Sequence, residues 1–334
     1  MQIVFKLYCL IGLIGALLVA QAIFAPFVSN TSLKTEKQQR AGILLFNTKG
    51  LPKYAKVPGM TNATFFIWET DPQQIIMLEN SHLKWYETKS ERNVIALQRY
   101  LLSSVFMPND GIVVDMGIND GYIAALAAAY GYNTIGVDGQ PECVRRFLIA
   151  TRLNPWGELI SVHNNIVCSK TFVLPVRNGI CGGGSRYLEN GNPEPNLKTN
   201  KGAVVEISGT TNVSTIALDT LVSNKPIVFF HLDVEGAELE VLLSAKRALK
   251  NRQIKNVVWE FAPHRWIKAY NSSLLAVKDI FKAFTCRDVA ALTFRYNPFK
   301  SPLVIDNWDS EFERASTHKR IYDIWCTLPD TIAV

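Results

Sequence analysis

Gly111-Ile112-Val113-Val114-Asp115 is a β-branched run that stops on a carboxylate, and together with the turn after it this run restricts the fold more than any other stretch. Met116-Gly117-Ile118-Asn119-Asp120-Gly121 carries two glycines and runs straight into the alanine-rich segment Tyr122–Tyr130. A buried strand, a glycine turn and a helix in that order open a crossover unit of a parallel sheet. Glycines there let the backbone turn tightly and approach a ligand, while the first helical N–H groups point into the same space.

The alternation continues. Asn133–Asp138 reads as a second strand ending in a second carboxylate, and Pro141–Leu153 as a helix whose proline sits where a missing N–H costs nothing. Leu159–His163 reads as a third strand. Residues 168–215, rich in Gly and Pro, read as a loop-rich insertion. Strand Ile227–Leu232, helix Ala237–Leu249 and strand Val257–Phe261 come next. A helix around Leu274–Phe284 and strands near Val289–Phe294 and Ile321–Thr327 close the pattern, the last strand being free to run antiparallel. The pattern predicts an α/β fold with a doubly wound, mostly parallel sheet over 108–334. Residues 65–107 are expected as a helical prelude, with apolar residues at helical spacing in Asn93–Leu102, and the polar, Lys-containing stretch 29–64 as a stem.

Residues 1–28 differ from the rest. Leu7–Val28 holds no charge and is long enough for a hydrophobic membrane-spanning helix, which needs about 20 apolar residues. Ala20-Gln21-Ala22 is also a small-x-small cleavage pattern, so a signal-anchor and a cleaved signal peptide are both open; the apolar run past that site favours the anchor. The expected setting is single-pass membrane attachment, or secretion if the segment is removed. Lys34, Lys37 and Arg40 outnumber Lys6 across the segment and argue for a cytosolic domain. Sequons at Asn30, Asn62, Asn212 and Asn271, together with the later cysteines, argue for the lumen of the secretory pathway and a glycoprotein, which is the reading adopted. The net charge of +6 is dispersed, so no nucleic-acid partner is expected.

The turn's chemistry narrows the ligand. Its spacing is Gly117-x-x-x-Gly121 rather than G-x-G-x-x-G, and no phosphate-binding lysine comes after it. A carboxylate at Asp115 suits a cationic amino-acid ligand better than a pyrophosphate, which it would repel. Asp138, 17 residues beyond Gly121, stands where a carboxylate accepts hydrogen bonds from ribose hydroxyls.

These residues resemble the FkbM-type methyltransferases, a branch of the class I S-adenosylmethionine-dependent family. Asp115-x-Gly117-x-Asn119-x-Gly121-Tyr122 is similar to their first motif. Asp138 stands where they carry glutamate, and Asn154 fits an asparagine ending the next helix. Ser214–Leu221 and His231-Leu232-Asp233-Val234-Glu235-Gly236-Ala237-Glu238 resemble two later motifs, with His231 in place of a lysine. The resemblance covers residues 111–260. It implies a Rossmann-like domain and S-adenosyl-L-methionine held by Asp115, Gly117, Asn119, Gly121 and Asp138. It also implies O-methylation of a hydroxylated acceptor, a glycan or small molecule.

Methyl transfer needs alignment and help in removing the acceptor proton. Asp233 and Glu235, ending the fourth strand at the same rim, are the expected catalytic carboxylates, while Glu238 suits the start of a helix. His264, beyond the next strand, is a further candidate base. No C-x-x-C pair or His/Cys cluster appears, so no metal is expected. Cys168 with Cys181 and Cys286 with Cys326 are candidate disulfides, although spacing does not fix connectivity. A nucleotide-dependent oxidoreductase and a tethered, non-catalytic binding module remain as alternatives, the first disfavoured by the glycine spacing.

Overall fold

The computed structural model describes residues 43–47, 64–69, 74–78, 89–177, 181, 210–270, 274–292 and 304–332. Residues 1–28 lie outside these, and among the described residues no helix is long and apolar enough to cross a membrane.

In chain order, β1 (Ile43–Asn47), β2 (Thr64–Glu69) and β3 (Gln74–Leu78) form an antiparallel meander. The helical prelude is therefore helical only in its second half, from α1 (Lys89–Ser104) onward. Thr64–Glu69 and Gln74–Leu78 are short aromatic and β-branched runs, better suited to a pleated surface than to three turns of helix.

The main domain continues as β4 (Ile112–Met116), α2 (Tyr122–Ala129), β5 (Thr134–Asp138), α3 (Pro141–Leu153) and β6 (Ile160–Asn164). The expected insertion supplies a small sheet of its own, β7 (Ile166–Val167), β8 (Val173–Arg177) and β9 (Thr210–Ile216). Then come α4 (Leu218–Leu221), β10 (Ile227–Leu232), α5 (Glu238–Leu243), α6 (Lys246–Lys250), β11 (Asn256–Phe261), α7 (Pro263–Tyr270) and α8 (Leu274–Phe281). β12 (Thr285–Asp288), α9 (Trp308–Thr317) and β13 (Tyr322–Thr327) complete the order.

Two expectations need correction. The helix expected over Ala237–Leu249 breaks at Ser244, whose hydroxyl donates to the Val241 carbonyl and accepts from the Leu218 N–H, while Asp219 caps α6 through the Arg247 and Ala248 amides. The strand expected near Val289 lies earlier, at Thr285–Asp288. Asp288 then accepts from the Ala290 N–H and turns the chain into a 3₁₀ turn.

Among the described residues the large sheet has seven strands in the order β12-β13-β11-β10-β4-β5-β6. β11, β10, β4, β5 and β6 run parallel; β13 is antiparallel to both its neighbours. β4 is buried along its whole length, as a central strand covered on both faces must be. Its side chains alternate: Val113 joins the core formed with α1, α2 and α3, while Ile112, Val114 and Met116 join the core under α4 to α9. In the second core Trp259 stacks on Trp266 at 5.1 Å and on Phe281 at 4.8 Å. All three rings are fully buried, each such burial contributing roughly 1.5–3 kcal/mol, and this fixes α7 against the sheet.

Candidate active site

β4 and β10 are neighbours, yet the chain leaves β4 toward β5 and β6 and leaves β10 toward β11 and β13. That divergence opens a crevice beyond the carboxyl ends of the strands. Met116, Gly117 and Asn119 form one wall, Asp138, Gly139 and Gln140 the next. Asn165, Ile166 and Val167 close it beyond β6, and Asp233, Val234 and Glu235 close it beyond β10.

Gly117 has φ 81°, and a Cβ there would fall 1.7 Å from the Asp233 carbonyl oxygen, so the two strand ends meet only because this residue has no side chain. Asn119 adopts φ 52°, a conformation asparagine tolerates better than most residues, and its N–H donates to Asp138 Oδ2 at 3.0 Å. Asp138 Oδ1 accepts the Gln140 N–H at 2.7 Å. Burial pushes the Asp138 carboxyl up to about 6, against the opposing pull of those two amides. It thus joins the Gly117–Gly121 turn to the turn after β5 and lines the pocket.

Asp115 is placed differently from expectation. It is 1% exposed and outside the pocket wall. Its Oδ2 accepts the Ala124 N–H at 3.1 Å and its Oδ1 lies 2.8 Å from His231 Nδ1. Its carboxylate shapes the turn from beneath. Gly121 also acts through packing: a Cβ there would lie 2.0 Å from the Phe147 ring.

On the β10 side, Glu235 (φ 57°) and Gly236 (φ 107°) are consecutive left-handed residues. Glu238, fully buried, holds them there by accepting the Val234 and Gly236 N–H groups at 3.1 and 2.9 Å and Trp266 Nε1–H at 2.7 Å. Arg265 Nη1 reaches Glu235 at 2.8 Å and Glu260 at 2.7 Å. Asp233 Oδ1 is buried without a hydrogen-bond partner. Burial first, and the neighbouring Glu235 charge second, hold the Asp233 carboxyl well above the usual carboxylate range. Glu260 is likewise raised by burial and by Asp233, against Arg265. Such a carboxyl is a stronger base than an exposed one once it ionises.

Carboxylate oxygens of Asp233, Glu238 and Glu260 lie within 4.8 Å of one another, a grouping with metal-holding capacity. The expectation of no metal came from cysteine and histidine spacing, which is blind to carboxylates gathered by the fold.

Of the residues singled out in the sequence, Gly117, Asn119, Asp138, Asp233 and Glu235 share the pocket wall. His264 lies on α7, outside that wall. Sequence reasoning missed Arg265, whose partners are 30 and 5 residues away, and the Asn165–Val167 wall. The carboxyl end of the third strand was the available signal for that wall. The disulfides are Cys143–Cys181 and Cys286–Cys326; the expected Cys168–Cys181 pair does not form, and Cys168 is a buried thiol. α3 places Cys143 near the Gly117–Gly121 turn, a proximity that spacing along the chain conceals.

A glycine turn on the first strand, a carboxylate ending the second, and a pocket at the switch point define a doubly wound α/β domain with its crevice where such domains take their ligands. Residues 115–285, about half of the chain, match the model of the methyltransferase FkbM domain, and the chain belongs to that family. It therefore carries a methyltransferase domain within a mixed α/β fold. No curated protein matches the chain. Among solved structures it is similar to the methyltransferase FkbM from Methylobacillus flagellatus KT, at 15% identity over 55% of this chain and 40% of that one, with a TM-score of 0.37. It is also similar to the bifunctional kinase-methyltransferase WbdD, at 13% identity over 74% and 42%, with a TM-score of 0.36. The chain spans less than half the length of either, and family membership rests on the sequence match alone.

Proposed function

We propose that this domain is an S-adenosylmethionine-dependent O-methyltransferase acting on a hydroxyl of a glycan or small-molecule acceptor. One observation carries the reading: a single pocket is walled on one side by Asp138 and on the other by Asp233 and Glu235.

The residues fit the cofactor. Asp138 keeps acceptor capacity beyond its two backbone amides and suits ribose hydroxyls. Gly117 brings main chain, without bulk, to the pocket wall beside Asn119. When bound, the cofactor supplies an electrophilic methyl group on a cationic sulfur. The acidic side of the pocket favours such a cation.

The remaining work belongs to this chain. Asp233 accepts the acceptor's hydroxyl proton, and burial has raised its basicity for that task. Glu235, fixed by Arg265 and by the tied-down Val234–Gly236 turn, orients the acceptor at the pocket mouth. Incubation of the protein with methyl-labelled cofactor and hydroxylated acceptor pools tests the reading. Label entering a base-stable ether supports it; no transfer to any pool, with intact fold, removes it.

We also propose that the domain works in an oxidising secretory compartment, tethered by its N-terminal apolar segment. The pairs Cys143–Cys181 and Cys286–Cys326 support that reading, since such bonds persist outside the cytosol.

A further inference from the structure

Cys143 lies in the first turn of α3, fully buried, shortly after Asp138 and Gln140. Its partner Cys181 is 38 residues further along the chain. The Cys181 sulfur rests 3.4 Å from the carbonyl oxygen of Asn119 and 3.7 Å from its Oδ1. A disulfide sulfur carries no proton, so this is a packing contact. Asn119 is the non-glycine residue with positive φ at the centre of the first turn, and its N–H is bound to Asp138. The covalent bond therefore fastens a distant piece of chain across both turns that wall the cofactor side of the pocket. Asparagine tolerates this left-handed conformation, and the Asp138 hydrogen bond and the Cys181 contact hold it there.

We propose that the Cys143–Cys181 disulfide is a positioning element for the cofactor turn, holding Asn119 against Asp138, so that cofactor affinity tracks the redox state of this pair. Opening it takes two electrons and two protons from an external dithiol: the S–S bond breaks, both cysteines become thiols, and the dithiol becomes a disulfide. The freed Cys181 no longer presses on Asn119, and the Asn119–Asp138 bond frays. Cys286–Cys326 joins β12 to β13 at the opposite edge of the sheet and has no such contact.

The consequence for affinity rests on the proposed cofactor; the consequence for the turn does not. Hydrogen exchange on the full chain without ligand reads the turn, in the oxidised protein, after dithiothreitol, and in Cys181→Ala. A thermal melt monitors the fold. Asn119 amide exchange is expected to accelerate about tenfold on reduction and in the variant, matching loss of one local bond. S-adenosylmethionine affinity, by calorimetry, is expected to weaken by about the same factor. Unchanged Asn119 exchange after reduction overturns the proposal even if the cofactor binds, and dithiothreitol on the native chain decides it should the variant fail to fold. Accelerated exchange in a chain that never binds the cofactor keeps the positioning role and removes the cofactor reading.

Discussion

His231 Nδ1 lies 2.8 Å from Asp115 Oδ1 across the two central strands, so the carboxylate that opens the glycine turn is engaged within the fold. The resemblance places a lysine at the position of His231; here an imidazole nitrogen meets the buried carboxylate instead. Replacing His231 by Ala leaves Asp115 buried with an unmatched oxygen. The expected cost is about 1–3 kcal/mol of stability. Denaturant melts of His231→Ala, Asp115→Asn and the double variant measure it, with the double variant losing less than the sum.

Asp138 gives two opposite pH dependences. Its folded value of about 6 lies above the ordinary 3.8, so its ionisation opposes folding. That penalty is absent below 3.8, grows between the two values and is complete above 6. Ribose hydroxyls, in contrast, need the ionised form as acceptor. Calorimetry should show cofactor affinity falling as pH drops through about 6, with Asp138→Ala weak at every pH. Asp219→Ala should leave affinity intact, because Asp219 caps α6, and cost about 1 kcal/mol of stability.

Asp233→Asn should fold and lose about 10²–10⁴-fold in methyl transfer, while His264→Ala keeps most activity. Because burial raises Asp233, the rising limb of the pH–rate profile should sit above the usual carboxylate range and vanish in the variant. Retained turnover in Asp233→Asn with loss in His264→Ala would reverse the two roles.

Arg265→Gln leaves Glu260 and Glu235 without their shared cation. The expected loss is about 2 kcal/mol, below that of a fully buried pair because the Glu235 side chain is 35% exposed. Glu260 is already raised by burial, so its charge opposes folding and Arg265 offsets that at neutral pH. The deficit should shrink as pH falls and Glu260 takes up its proton, a trend that paired melts across pH reveal.

Asn212, the one of the four sequons on a described strand, is exposed on β9. Secretory expression in eukaryotic cells should give a glycosidase-sensitive mobility shift that falls by one step in Asn212→Gln. After unfolding, Cys168 should be the single alkylated thiol beyond the N-terminal segment. An unshifted protein with every cysteine alkylated would support a cytosolic domain instead.

The strands that hold Asp115, Asp138 and Leu232 were legible because each joins an apolar, β-branched run to a carboxylate or glycine punctuation, signals that act within ten residues. The meander at β1–β3 was not, since five- and six-residue apolar runs satisfy either period. Arg265 escaped because its meaning depends on α7 crossing behind the Val234–Gly236 turn. The inward use of Asp115 escaped for a related reason: a motif shows which residue stands at a strand end, but not whether a neighbouring strand has already claimed its oxygens.

β13 enters between β11 and β12 although it is made after both. During synthesis β12 has, among the described residues, only the Arg287–Val304 bridge until Tyr322–Thr327 emerges, and Cys286 must wait for Cys326 across the register pair. The nascent chain therefore holds an unfinished sheet edge, exposed to wrong pairings, until nearly the last of the described residues leave the ribosome. One late covalent bond, Cys286–Cys326, is what seals that edge.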